Sequence, residues 1–155
     1  MLIHASALLV PVLSEITSVA FVVISLATVT GLYLASETAR IRGKQLPLVT
    51  GFTLMMSRDD EATHFIARPA YLAVGIILSL LLFPESIAYA SIAIVAVGDP
   101  VASYVGIRWG RTHVGRKTVE GFAAGLAASF VAASLCVYPS LALVGSATGM
   151  LLELL

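Results

Sequence analysis

Charge is what this sequence has least of. Only 12% of its 155 residues are Asp, Glu, Lys or Arg, while 59% are apolar, and the mean hydropathy is +0.99. A soluble globular domain carries about 25% charged residues, so the shortage argues against a water-soluble enzyme and for an integral membrane protein. The 9 basic and 9 acidic residues cancel to a formal net charge of zero, so the overall balance points to no nucleic-acid or acidic partner and only the placement of charge is informative. A single cysteine, Cys136, cannot close an intramolecular disulfide and reads as a small apolar side chain. The three histidines, His4, His64 and His113, are scattered and no HExxH occurs, which excludes that zinc-hydrolase signature. No lysine or arginine precedes the first apolar stretch, so the basic opening of a cleavable signal peptide is missing.

What is present is a series of apolar runs, at 17–36, 69–83, 86–106, 119–137 and 140–155, with a shorter one at 2–13. At about 20 residues per span, this predicts an all-α, polytopic membrane protein of about four or five transmembrane helices plus a short N-terminal apolar helix. Residues 1–155 are expected to form a single membrane domain. Pro84-Glu85 divides two spans, Pro69 suits a first helical turn, and Pro139 falls in a turn. All 9 lysines and arginines lie in residues 37–68 and 107–118. Two spans separate these segments, so they share a side, which the positive-inside tendency makes cytoplasmic. Glu15, Glu85 and Pro139 mark the opposite face, and Tyr104, Trp109 and Tyr138 suit interfacial aromatic belts.

The chemistry concentrates in "GDPVASYVGIRWGRTHVGRKTVEG", Gly98–Gly121. Asp99 precedes the basic turn by about nine residues, placing it about 13 Å deeper at 1.5 Å per residue. A carboxylate at that depth is costly and marks a functional site or a structural ion pair. Pro100 biases Asp99 away from helical geometry, and a kink opening a polar cleft is expected there. The turn "GRTHVGRKT" fails the GxxxxGK[ST] spacing, because Arg116 intrudes between Gly115 and Lys117, and it follows no strand; a Walker ATPase is rejected. It still has what an anion needs: glycine-freed amides, the cations Arg108, Arg111, Arg116 and Lys117, and Thr118 as cap of the following helix. The same cations read equally well as topology-setting charge. Glu120 stands in that helix's first turn, where an acid is favourable in any case. Acidic groups beside a phosphate site suggest Mg²⁺, which binds through few carboxylates plus phosphate oxygens. The helix from Gly121 shows a small-residue stripe, Gly121, Gly125 and Ala128 or Ser129, suited to close helix packing or to pairing between copies of the chain.

The run from Gly98 to Gly121 resembles the signature of the CTP-dependent lipid-alcohol kinases: dolichol kinase, phytol kinase and yeast-type diacylglycerol kinase, relatives of the phosphatidate cytidylyltransferases. The matching positions are Gly98, Asp99, Ala102, Gly106, Gly110, Lys117, Thr118, Glu120 and Gly121. "SETARIR" and "SRDDE" are similar to the family's E-x-x-R and R-x-x-E elements, carried by Glu37, Arg40, Arg58 and Glu61. The resemblance implies transfer of the CTP γ-phosphoryl to the hydroxyl of a polyprenol- or dolichol-like membrane alcohol, at the cytoplasmic face. It implies a catalytic set of Asp99, Lys117 and Glu120, with Asp99 as the Mg²⁺ ligand. Nucleotide binding falls to Gly98, Gly106, Arg108, Gly110, Arg111, Arg116, Lys117, Thr118 and Gly121, and Glu37, Arg40, Arg58 and Glu61 form a secondary cleft. In the family a DDNxxxP element follows the region similar to "GSATGMLLELL"; this sequence stops at Leu155, which reads as truncation at both ends relative to the family. The competing readings are a cytidylyltransferase-like CDP-lipid synthase and a non-catalytic small membrane protein.

Overall fold

The computed structural model describes residues 4, 6–42, 68–115 and 117–154. It is mostly helical. In chain order come α1 (Leu9–Ile16), α2 (Val19–Ile41), α3 (Arg68–Leu82), α4 (Glu85–Trp109), β1 (His113–Val114), β2 (Lys117–Thr118), α5 (Val119–Ser134) and α6 (Pro139–Leu154). Each helix falls on an apolar run of the sequence. The hairpin is the exception to a uniformly helical reading: β1 and β2 pair antiparallel, His113 with Thr118 and Val114 with Lys117. A two-residue hairpin turn demands positive φ, and Gly115, at φ 61°, supplies it. Among the described residues, α2 and α4 are long and apolar enough to cross a membrane, with mean hydropathies of 2.0 and 1.6 over their apolar windows.

The chain divides into two compact units, Met1–Val19 with Ser79–Leu155, and Ala20–Leu78. The first is built on α4, α5 and α6, which pack together. Buried positions recur every fourth residue, at Gly121, Gly125, Ser129 and Ala133 on α5 and at Ala142, Ser146 and Met150 on α6, the spacing that keeps side chains on one helical face.

The α4–α5 contact is made by small residues on both sides. A Cβ on Gly98 would run into the Ser129 hydroxyl and lie 3.0 Å from Met150 Sδ. On Gly125 it would meet Met150 Cε at 2.5 Å, Ala102 Cβ at 2.7 Å and the Gly98 carbonyl at 3.0 Å; on Gly121, the Ala102 carbonyl at 2.6 Å and Gly106 Cα at 3.1 Å. Gly106 thus faces Gly121, Ala102 faces Gly125 and Gly98 faces Ser129, an antiparallel register in steps of four. The stripe read on α5 has a matching stripe on α4. Such stripes let backbones approach closely. Ser129 is fully buried and donates from Oγ to the Ile94 carbonyl at 3.2 Å, which satisfies its hydroxyl within the contact. Farther along, Ala90, Ile94, Ala133 and Ala142 form an apolar cluster closed by Phe130, Cys136 and Val137.

This packing explains the fate of Pro100. Helix α4 includes both Asp99 and Pro100, so Asp99 is helical although the proline after it was expected to bias it away from helical geometry. Proline removes the N–H that the Ala96 carbonyl would accept and crowds it, costing about 3 kcal/mol in a free helix. Here Gly98 on one side of the proline and Ala102 and Gly106 on the other are held against the same partner helix, which supports helix on both sides of the proline.

Two glycine substitutions should separate packing from propensity. Gly125→Val crowds Met150, Ala102 and a backbone carbonyl, so it should cost about 1–3 kcal/mol, the usual penalty of overpacking. Gly75 on α3 has nothing within 4 Å of a built Cβ, so Gly75→Ala should be neutral or stabilising by up to about 1 kcal/mol. Thermal unfolding of the purified variants checks both; equal effects at the two positions would contradict the packing account.

Candidate functional site

Three elements of the first unit bring charge to one place. Asp99 comes from the middle of α4, Lys117 from the start of β2 and Glu153 from the last turn of α6. The Lys117 ammonium donates to Glu153 Oε1 and lies 4.0 Å from Asp99 Oδ1. Asp99 Oδ2 is 3.6 Å from His4 Nε2, and Ser103, one helical turn on, donates from Oγ to Oδ1 at 3.5 Å. The side chains of Asp99 and Glu153 are 27% and 25% exposed and that of Lys117 is 39% exposed, so the group is partly shielded and its interactions are stronger than at an open surface. Two carboxylates share one ammonium, which leaves an excess negative charge when His4 is neutral.

Beside this cluster lies a cavity of about 410 Å³, lined by Lys117, Glu153, Ser103 and His113 at its polar end and by Ile107 and Phe122 among its apolar residues. Its floor is the small-residue contact of α4 with α5. Thr118 forms one wall as the N-cap of α5, accepting at Oγ1 from the Gly121 N–H at 3.2 Å, the role its position suggested. Gly106 and Gly110 back onto Thr118: a Cβ at Gly110 would reach Thr118 Cγ2 at 2.5 Å, and one at Gly106 would reach Thr118 Oγ1 at 2.7 Å. Gly106, Gly110 and Gly121 border the cavity, while Gly98 lies in the helix contact. The sequence assigned all four to nucleotide binding; the structure gives each a steric reason to be glycine.

The other expected residues are placed differently. Glu120 turns to the loop: both carboxylate oxygens accept from the Thr112 N–H, at 3.1 and 3.2 Å, while the Thr112 carbonyl accepts from the Val119 N–H at 2.9 Å. It clasps the two ends of the basic turn. Arg108 and Arg111 are exposed; the Arg108 guanidinium lies 5.7 Å from the Trp109 ring centroid, a cation–π distance, and Trp109 meets Tyr104 edge to face at 5.9 Å. Among the described residues, Lys117 is the one lysine or arginine that borders the cavity. In the second unit, Arg40 grips Glu37 with both Nε, at 2.9 Å from Oε2, and Nη2, at 2.6 Å from Oε1. Glu37 is 1% exposed, so this is a buried, bidentate pair of the strong kind. Arg58, Glu61 and Arg116 lie outside the described residues.

The metal expectation was tested on the donor set. Among the described residues no three His, Cys, Asp or Glu side chains group to hold an ion, and the place between Asp99 and Glu153 is taken by the Lys117 ammonium. This arrangement does not fit a resident Mg²⁺. Glu153 is the member that sequence reading passed over. Its signal was available: it is the one charged residue in the apolar run 140–155, and an ionisable group in such a run is a site by default. His4 gave no comparable signal, because nothing local ties it to α4.

Glu120→Ala should release the turn. The Thr112 amide loses a charged acceptor, and its hydrogen exchange should accelerate several-fold. Mass spectrometry of the 110–118 peptide reads this, and unchanged exchange would mean that the clasp does not hold the turn.

No known family model matches the sequence, and no solved structure matches it. A protein of Methanocaldococcus jannaschii known as uncharacterized protein MJ1137 is 40% identical over 97 residues, covering 61% of this chain and 47% of the relative. The chain therefore spans about half the length of that relative, and the similarity carries no activity with it.

Proposed function

We propose that this protein is a polytopic membrane kinase that moves the γ-phosphoryl group of CTP to the hydroxyl of a lipid alcohol, polyprenol- or dolichol-like, at the cytoplasmic face. The observation that supports it is the meeting of Asp99 and Lys117, the acidic and basic ends of the kinase-like run, 4.0 Å apart, with Lys117 lining a cavity. Phosphoryl transfer needs positioning and charge neutralisation more than covalent chemistry. In this reading the alcohol oxygen attacks Pγ and forms the new O–P bond. The bond from Pγ to the β,γ-bridging oxygen breaks, and CDP leaves with its electron pair. The alcohol's proton passes to the Asp99 carboxylate, and the Lys117 ammonium offsets charge on the phosphoryl oxygens. A divalent ion enters as the nucleotide's own counter-ion, part of the substrate.

The two long apolar helices support a membrane placement. In this reading α2 and α4 span, and the shorter apolar α3, α5 and α6 complete four or five crossings, with both basic segments cytoplasmic. Leu32, Ile24, Ile107 and Leu152 are each more than 60% exposed, surface that lipid tails cover without cost. Helix α5 has 16 residues, about 24 Å, less than the roughly 30 Å of hydrocarbon. Its Lys117 end therefore sits near the hydrocarbon edge, at the depth of a lipid hydroxyl. The apolar Ile107 and Phe122 then receive the first carbons of the lipid.

Purified protein supplied with position-labelled CTP and a panel of membrane alcohols tests the reading. Label from the γ position should appear on lipid and label from the α position should not. The α label on lipid would make the enzyme a cytidylyltransferase, and no label from CTP or ATP would leave a non-catalytic membrane protein whose Asp99 is an ion-pair partner. Asp99→Asn should lower kcat by about a hundredfold, the scale of a positioned proton acceptor. Lys117→Ala should raise the nucleotide KM about tenfold, the loss of about 1.4 kcal/mol of charge pairing.

A further inference from the structure

The cavity meant for a phosphate has its lining ammonium already engaged. Among the described residues Lys117 is the sole lysine or arginine bordering it, and that ammonium donates to Glu153 while a second carboxylate, Asp99, lies 4.0 Å away. An anion entering in this state meets one cation and, in Glu153, a like charge that itself lines the cavity. The two carboxylates are not equivalent. Asp99 is anchored in the middle of α4, with Ser103 and His4 on its oxygens, and its separation from Lys117 exceeds hydrogen-bond length. Glu153 makes the direct hydrogen bond, stands in the final turn of α6, and itself borders the cavity.

We propose that Glu153 is an intramolecular stand-in for phosphate: it occupies Lys117 while the cavity is empty, and the incoming phosphate chain must displace it. The inference rests on the reading that this cavity takes a phosphate. Displacement does two things. It releases the Lys117 ammonium to the phosphate oxygens, and it removes a repelling carboxylate from their path. Affinity for the anion is then reduced by the fraction of molecules in which the latch is closed. Asp99 stays in place throughout, so the group held ready for the alcohol is not disturbed by the exchange.

Inorganic tripolyphosphate, which carries no base and no sugar, isolates this step. Its dissociation constant would be measured by calorimetry on the full chain, for wild type, Glu153→Gln, Glu153→Asp and Glu153→Gln with Lys117→Ala. Opening the latch should tighten binding by Glu153→Gln about twofold to fivefold, the scale of one partly exposed ion pair; Glu153→Asp, which keeps the charge, should stay near wild type, and the double variant should bind weakly. A second measurement does not depend on any Glu153 variant folding. The sequence has just two lysines, Lys44 and Lys117, so reductive methylation of wild type gives two side-chain resonances that Lys44→Arg assigns, and tripolyphosphate should shift the Lys117 one. Equal or weaker binding by Glu153→Gln, with wild type still binding and its Lys117 signal moving, would overturn the latch and leave the phosphate cavity standing. Absence of binding by every form, with an unmoved Lys117 signal, would overturn both.

Discussion

The close approach of α4 to α5 is the constraint on which the rest depends. Gly98, Ala102 and Gly106 on one helix meet Ser129, Gly125 and Gly121 on the other, with no room for a further methyl group at the glycines. Helices that near leave only a short chain to join them, and the join is the β1–β2 hairpin. The tight turn in turn aims Lys117 back across α4 toward Asp99, and it buries Thr118 where it caps α5. Without the glycines the helices would separate, the cap would lose its wall, and the ammonium would be free to point elsewhere. In the membrane placement proposed here, apolar side chains gain little by leaving their surroundings, so such contact and the Ser129 hydrogen bond are what association would work with.

The helices were legible in the sequence because length and hydropathy fix them independently of partners. The small stripe on α5 was legible too, since Gly121 and Gly125 repeat at helical spacing. Its counterpart on α4 was hidden: the same glycines that make the contact, Gly98 and Gly106, belong to a motif that suggests nucleotide binding, and a periodic small residue carries no mark of which use applies. The non-helical bias expected at Asp99, before Pro100, was overridden for a related reason. Local preference described an isolated helix, while the partner helix holds both halves of this one.

The site was legible in part. Asp99 stood out as a charge in an apolar run and Lys117 as a cation of the basic turn, and they proved to be near one another. Glu120 was ambiguous between capping and chemistry, and its contact with Thr112 places it in the architecture of the turn. Glu153 and His4 come from opposite ends of the chain, and no sequence spacing announces a contact that is made through three-dimensional packing. Charge can be recognised locally; partnership cannot.

The repeat of four in the α4–α5 register has a further consequence. Sliding one helix past the other by a single turn, about 5.4 Å, would again set small residues against small residues, so steric fit alone distinguishes the registers poorly. The Ser129 hydroxyl on the Ile94 carbonyl and the Lys117 ammonium near Asp99 exist in one register only. These two polar contacts, one in the apolar middle and one at the site, act as index marks on an otherwise uniform scale.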